Sequence, residues 1–215
     1  MSAQVGYDQL AAMLRAAAEQ VRANHKTLSR LDSHGGDGDH GTTMSRAMGL
    51  VEKAIADSES RQLKSLLFDA GWAVMGVDGG ATGPLLGTLL MGMAEAVGDK
   101  EALDAQDLAA TFEAGLAAVQ KRTRAQVGDK TLLDALVPAV EALRQYDHCG
   151  DDVAAALQQA AEAAHQGARA TTELQARFGR AKNLGEKSKG HQDPGATSMA
   201  LIFRGFAEGF GSSPS

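Results

Sequence analysis

The stretch Leu31-Asp-Ser-His-Gly-Gly-Asp-Gly-Asp-His-Gly-Thr-Thr43 places three carboxylates, Asp32, Asp37 and Asp39, within eight residues, with Gly35, Gly36, Gly38 and Gly41 among them. Asp and Gly are poor in helix and strand interiors, so the segment reads as a loop whose glycines let the backbone curve until three side chains meet. Three anions brought to one point repel each other unless a cation sits between them. Oxygen-only ligands suit a hard divalent ion, and Mg²⁺ is typically held by one or two carboxylates together with phosphate oxygens. A lone Asp-Gly-Asp would read as a solvated acidic turn. Here the trio runs directly into His40, Gly41, Thr42 and Thr43, hydroxyls and backbone N–H groups of the kind a phosphate needs beside its metal. Asp32, Asp37 and Asp39 are therefore the candidate metal ligands.

Two look-alikes fail. Gly36-Asp-Gly-Asp-His-Gly41 fits the G-x-G-x-x-G dinucleotide pattern, but residues 27–34 do not read as a buried strand, and carboxylates between the glycines would oppose a bare pyrophosphate. An EF-hand register starting at Asp32 puts Asp37 where the turn glycine belongs and Thr43 where the bidentate Glu belongs. Two other stretches have the makings of anion sites. Val77-Asp-Gly-Gly-Ala-Thr-Gly-Pro-Leu-Leu-Gly87 exposes backbone at its glycines, offers the Thr82 hydroxyl, and sets Pro84 in the first turn of a helix. It lacks the lysine of a P-loop and also fits an ordinary helix connection. Residues 167–198 gather Arg169, Arg177, Arg180, Lys182, Lys187 and Lys189 into an otherwise acidic chain, then end in Asp193-Pro194-Gly195, an N-cap followed by proline at the first helical position.

These three stretches need elements to hold them, and the apolar spacing supplies helices. Leu10, Met13, Leu14, Ala17 and Val21 make one stripe over residues 7–26. Further helices are predicted from near Gly41, over 61–76, from Pro84 to Val97, over 104–124 with Asp104 as cap, over 131–146 with a Thr131–Asp134 capping box and a kink at Pro138, over 153–176, and from Pro194 to Phe210. Residues 147–152 read as a turn and 211–215 as a flexible tail, leaving one domain over 1–210. That makes about eight helices and no strand, an all-α protein in agreement with an Ala-rich chain only 4% aromatic. If the helices alternate up and down, the connections after helices 1, 3, 5 and 7 share one end, and the three phosphate-suited stretches follow helices 1, 3 and 7.

A net charge of −6 argues against a general nucleic-acid or membrane-surface binder, so any phosphate must be handled locally. The single cysteine, Cys149, excludes an intramolecular disulfide and fits a reducing cytoplasm. No apolar run approaches the ~18 residues of a membrane helix.

Leu-Asp-x3-Gly-Asp-Gly-Asp-His-Gly, Gly-Gly-Ala-Thr-Gly-Pro-Leu, Gly-Asp-Lys-Thr and Gly-Arg-Ala-x-x-Leu-Gly-Glu-Lys-Ser-x-Gly-His-x-Asp-Pro-Gly-Ala occur in that order and span nearly the whole chain. Together they resemble the nucleotide-binding L subunit or domain of dihydroxyacetone kinases. The resemblance implies a closed up-and-down barrel of eight antiparallel helices with ADP or ATP and two Mg²⁺ ions at one rim. It implies that Asp32, Asp37 and Asp39 hold metal, and that His40, Gly41, Thr42, Thr43, Ala81 and Thr82 hold phosphate. Thr123 and Leu132 would line the nucleoside, and Arg180, Asp193, Pro194 and Gly195 would add further nucleotide contacts, with Arg180 and the three aspartates as the catalytic set. Gly35 stands where the family usually has an aliphatic residue, Leu132 replaces a commoner Met, and His34 is an unexpected possible ligand.

The resemblance also implies a phosphotransferase that passes a phosphoryl group to a small ketose or polyol held by a separate K-type subunit. Either a tightly held ADP is rephosphorylated by a phosphohistidine carrier of a phosphotransferase system, or ATP binds and exchanges. The contrasting expectation is a non-catalytic regulator that binds nucleotide at the rim or a lipid inside the helices. The oligomeric state stays open, a homodimer included.

Overall fold

The computed structural model describes residues 4–147 and 152–211. The turn expected at 147–152 and the tail expected at 211–215 lie largely outside the described residues. Nine α-helices occur among the described residues: α1 (Tyr7–Ala23), α2 (His25–Asp32), α3 (His40–Asp57), α4 (Leu63–Met75), α5 (Thr82–Val97), α6 (Ala105–Arg122), α7 (Leu133–Asp147), α8 (Val153–Ala170) and α9 (Pro194–Gly211). The fold is all-α, with a single isolated bridge among the described residues, between Val5 and Leu103. No described helix is long and apolar enough to cross a membrane.

Seven of the eight expected helices begin and end within a few residues of expectation, and the expected caps form. Asp104 accepts a hydrogen bond from the Asp107 N–H (2.8 Å), Asp134 from the Thr131 N–H (2.7 Å), and Asp193 from the Ala196 N–H (2.7 Å). Two boundaries need correction. The first stripe breaks at Asn24, and a separate two-turn helix, α2, carries the chain to Asp32, so the first metal-ligand candidate sits on a helix end rather than in the loop. Helix α8 stops at Ala170 instead of Ala176. There the Thr171 hydroxyl donates back to the Ala168 carbonyl (2.5 Å) and accepts from the Asp193 N–H (2.8 Å), turning the chain into a short 3-10 segment.

Helices α1 and α3 pack together, as do α3 and α4, α4 and α5, and so on through α8 and α9, and α9 packs back on α1. The abundance of Gly and Ala explains how closely they pack. A Cβ built on Gly205 of α9 would lie 2.3 Å from the Ala17 Cα of α1, and one on Gly209 would lie 2.7 Å from the Met13 Cα. Gly71 with Gly87 brings α4 against α5, and Gly92 with Gly115 brings α5 against α6. Pro138 lies within α7, where it cannot bond the Asp134 carbonyl. Gly167 of α8 passes so close to that carbonyl that a Cβ would fall 2.0 Å from it.

Phe112, Phe203 and Phe206 meet with ring centroids 5.3–5.9 Å apart. The void beside them, lined by Leu10, Met13, Leu67, Leu90 and Phe112 among others, measures about 10 Å³. That is room for no more than one water, so an apolar ligand does not fit there. Two glycines give opposite expectations. Gly205→Val should overpack the α1–α9 seam and cost about 3 kcal/mol in urea unfolding. Gly49 sits in mid-α3 with nothing within 4 Å of a built Cβ, and Gly49→Ala should gain up to ~1 kcal/mol.

Candidate functional site

One cleft of about 310 Å³ opens at an end of the helices. Its walls come from four connections: α2–α3 (Asp32, His34, Asp37, Asp39), α4–α5 (Gly79, Gly80, Ala81), α6–α7 (Thr123, Lys130, Leu132) and α8–α9 (Arg180, Lys187, Asp193). Counting only the long helices, these follow the first, third, fifth and seventh, as the parity of an up-and-down arrangement requires. Each connection delivers the chain into the start of α3, α5, α7 or α9. Four helix N-termini, whose first N–H groups lack intrahelical partners and carry partial positive charge, therefore face one cleft.

The α2–α3 connection is wound around Asp32. Its carboxylate accepts from the Gly38 N–H at 2.9 Å and from the His40 N–H at 3.4 Å. Gly38 has φ +79, and a Cβ on Gly36 would fall 2.2 Å from an Asp32 carboxylate oxygen, so neither position admits an ordinary side chain as built. Asp32, Asp37 and Asp39 each offer a carboxylate oxygen within 4.8 Å of the others. All three are hard oxygen donors with open coordination space, which fits Mg²⁺.

The electrostatics set these carboxylates apart. Asp37 forms an ion pair with Arg180, and that hydrogen bond, reinforced by the guanidinium charge, holds its pKa below the usual carboxylate range. Asp39 is shifted upward, by partial desolvation first and then by the negative charges of Asp37 and Asp32. A cation among the three would relieve that repulsion. His40 is buried, which lowers its pKa and keeps it neutral. His40 Nε2 lies 3.2 Å from the Ser198 hydroxyl, which itself donates to the Gly195 carbonyl (2.9 Å). His40 Nδ1 faces the Thr82 hydroxyl 3.5 Å away. The ring thus ties the start of α3 to α5 and α9.

Of the residues singled out from sequence, Asp32, Asp37, Asp39, His40, Ala81, Thr82, Thr123, Leu132, Arg180, Asp193, Pro194 and Gly195 all line this cleft. Gly41, Thr42 and Thr43 do not. Gly41 lies under α2, where a Cβ would meet the His25 carbonyl at 1.9 Å; Thr42 is exposed, and Thr43 is buried beneath Gly79. Of the six basic residues, Arg180 and Lys187 reach the cleft, whereas Arg177 pairs with Asp129 and Lys189 with Glu186. Three features escaped the sequence reading. His34 stacks on His191 (centroids 3.6 Å apart, interplanar angle 7°), Gly35 packs under Ala181, and Lys130 is buried in the cleft wall. The Gly-Asp-Lys-Thr motif was the signal for the last, although nothing in it said which way the lysine points.

The cleft is chemically suited to a polyanion bound beside a hard cation. Comparison with known proteins places the chain in a family. The DAK2 domain model matches residues 34–208, and the chain belongs to the DAK2 domain family. It is 43% identical over 185 residues to the PEP-dependent dihydroxyacetone kinase 1, ADP-binding subunit DhaL, of Listeria innocua, covering 86% of this chain and 87% of that protein. It is 38% identical to the corresponding subunit of the Escherichia coli PEP-dependent dihydroxyacetone kinase, covering 82% and 84%. The fold matches the crystal structure of the dihydroxyacetone kinase of C. freundii with a TM-score of 0.71 at 26% identity, over 93% of this chain and 34% of that longer one.

Asp193 provides a test of the site's electrostatics. It borders the cleft, yet its carboxyl is crowded by protein, and desolvation pushes its pKa up to about 7 against the opposing Ala196 N–H and Lys130 charge. The folded state therefore binds a proton that the unfolded state releases near pH 4, so this group's contribution to stability falls as pH rises through the window from about 4 to about 7. Asp193→Asn keeps a capping oxygen without the titration. Its melting temperature relative to wild type should climb across that window and level off above it, and a difference independent of pH would refute the assignment.

Proposed function

We propose that this chain is the ADP-binding, L-type subunit of a dihydroxyacetone-type kinase, a phosphotransferase that passes a phosphoryl group to a small ketose or polyol held by a K-type partner subunit. The observation that carries this reading is the meeting of Asp32, Asp37 and Asp39 with Arg180 in one cleft fed by four helix N-termini. The named relatives, ADP-binding subunits aligned over most of their length, support it. The ring of helix pairings from α1 through α3 to α9 and back supports a closed barrel of eight antiparallel helices, with α2 as an extra element at the rim.

Phosphoryl transfer depends on positioning and charge neutralisation more than on covalent help from the protein. Asp32, Asp37 and Asp39 would hold two Mg²⁺ ions, which when bound would supply positive charge to neutralise a polyphosphate. Arg180 contributes a planar, permanently charged fork that can take two oxygens of one phosphate once it releases Asp37. Ala81 and Thr82, at the start of α5, offer N–H groups and a hydroxyl to the same phosphates. Thr123 and Leu132 form the wall for the nucleoside, and Asp193 to Gly195 close the site from α9. Thr42, exposed on the first turn of α3, is left to meet ligand or partner from outside the cleft. The relatives are named as ADP-binding subunits of a kinase, which supports assigning the acceptor to a partner subunit.

The relatives' names, PEP-dependent and ADP-binding, support ADP as the resident cofactor; in this proposal a phosphohistidine carrier rephosphorylates it in the cytoplasm. Bound ADP should then survive gel filtration and resist exchange with added ATP; free exchange would favour an ATP-dependent kinase. Asp37→Ala should abolish calorimetrically detected ADP binding in Mg²⁺, and an unchanged affinity would remove the metal assignment.

A further inference from the structure

Lys130 is the one non-glycine residue among those described with a positive φ (62°), a conformation that its Cβ makes costly. It is 5% exposed, yet its ammonium group is spent on two backbone carbonyls, those of Thr171 and, at 2.5 Å, His191. These carbonyls stand at the two ends of the connection between α8 and α9. The ends are also joined by the Gly190 N–H to the Thr172 carbonyl (2.8 Å), giving an Ω-shaped loop. The neighbouring Asp129 grips the same loop further along, accepting from the Arg177 N–H at 3.1 Å and pairing with its guanidinium at 3.4 Å. Within the loop Arg180 meets Asp37 and Ala181 meets Gly35, and at its end the His191 ring stacks on His34.

We propose that Lys130 is a positioning residue for the phosphate site: by clamping both ends of the 171–191 loop to the start of α7, it sets where Arg180 meets the carboxylate trio. A buried cation bonded to two carbonyls of one loop, on a strained backbone, is more than a side chain filling space. Its removal lets the loop's ends separate, and a shift of about 1 Å at Arg180 is enough to lose roughly 100-fold in a positioned interaction. The inference rests on the nucleotide reading of the cleft for its effect on binding, but not for its effect on the loop.

Lys130→Met keeps the length of the side chain and removes its charge. Lys130→Gly removes the side chain while relieving the positive φ, and so guards against a variant that fails to fold. In the protein without nucleotide, both should raise amide hydrogen exchange across residues 175–190 and leave α3 to α6 unchanged. In Mg²⁺ with ADP, each should weaken binding by roughly tenfold to 100-fold. The same substitution made on Arg180→Ala should then cost almost nothing more, because Lys130 acts through Arg180. An unchanged loop exchange, or a full loss repeated on the Arg180→Ala background, would overturn the proposal. Absence of ADP binding by the wild-type chain would overturn the nucleotide reading instead, with the exchange result still reporting on the clamp.

Discussion

Everything at the working end of this protein follows from holding three like charges within 4.8 Å of each other. Asp32, Asp37 and Asp39 would spread apart if the chain around them were free, and three devices oppose that. Asp32 is fixed by N–H groups of the loop that wraps it, Asp37 by Arg180, and the start of α3 lies under Asp39 with its partial positive charge. The upward shift at Asp39 comes from desolvation first and then from the charges of Asp37 and Asp32, a repulsion that a cation would relieve.

The helical scaffold makes this affordable through its topology. Every second connection between the long helices reaches the same cleft, and each of those connections starts a new helix there. Short loops are all that is required, so the metal candidates, the Thr82 lip, the Leu132 wall and the Arg180 loop converge without any long excursion except the last. That excursion, residues 171–193, has no regular helix of its own beyond short 3-10 turns. It is held instead at its neck by Asp129 and Lys130 and at its tip by the acidic loop. The basic charge that balances an acidic protein at this site thus hangs on a few contacts rather than on the core.

The helices and the shared end were legible because apolar spacing and caps are local signals: Asp104, Thr131 with Asp134, and Asp193 with Pro194 each stop and start the chain where the sequence says. The carboxylate trio was legible because Asp and Gly at that density have few other uses. Helix α2 was not, since only Leu28 of its eight residues is buried and no apolar stripe announces it. The end of α8 was not, because residues 171–176 carry no Gly or Pro to mark a stop, and the stop comes from the Thr171 hydroxyl and a backbone N–H 22 residues away. Gly41 and Thr43 carry the residue types of a phosphate loop, yet close packing of α3 on His25 and Gly79 turns them inward. Lys130 was invisible for the same kind of reason: a lysine's role here is set by which distant carbonyls it reaches, and composition does not record that.

The most direct measurement is the position of the metal. Crystals grown with ADP and Mn²⁺ in place of magnesium, measured at the manganese absorption edge, should give anomalous density enclosed by Asp32, Asp37 and Asp39, with phosphate oxygens completing its coordination. Manganese density elsewhere, or three carboxylates turned to solvent with nothing between them, would contradict the reading of this cleft.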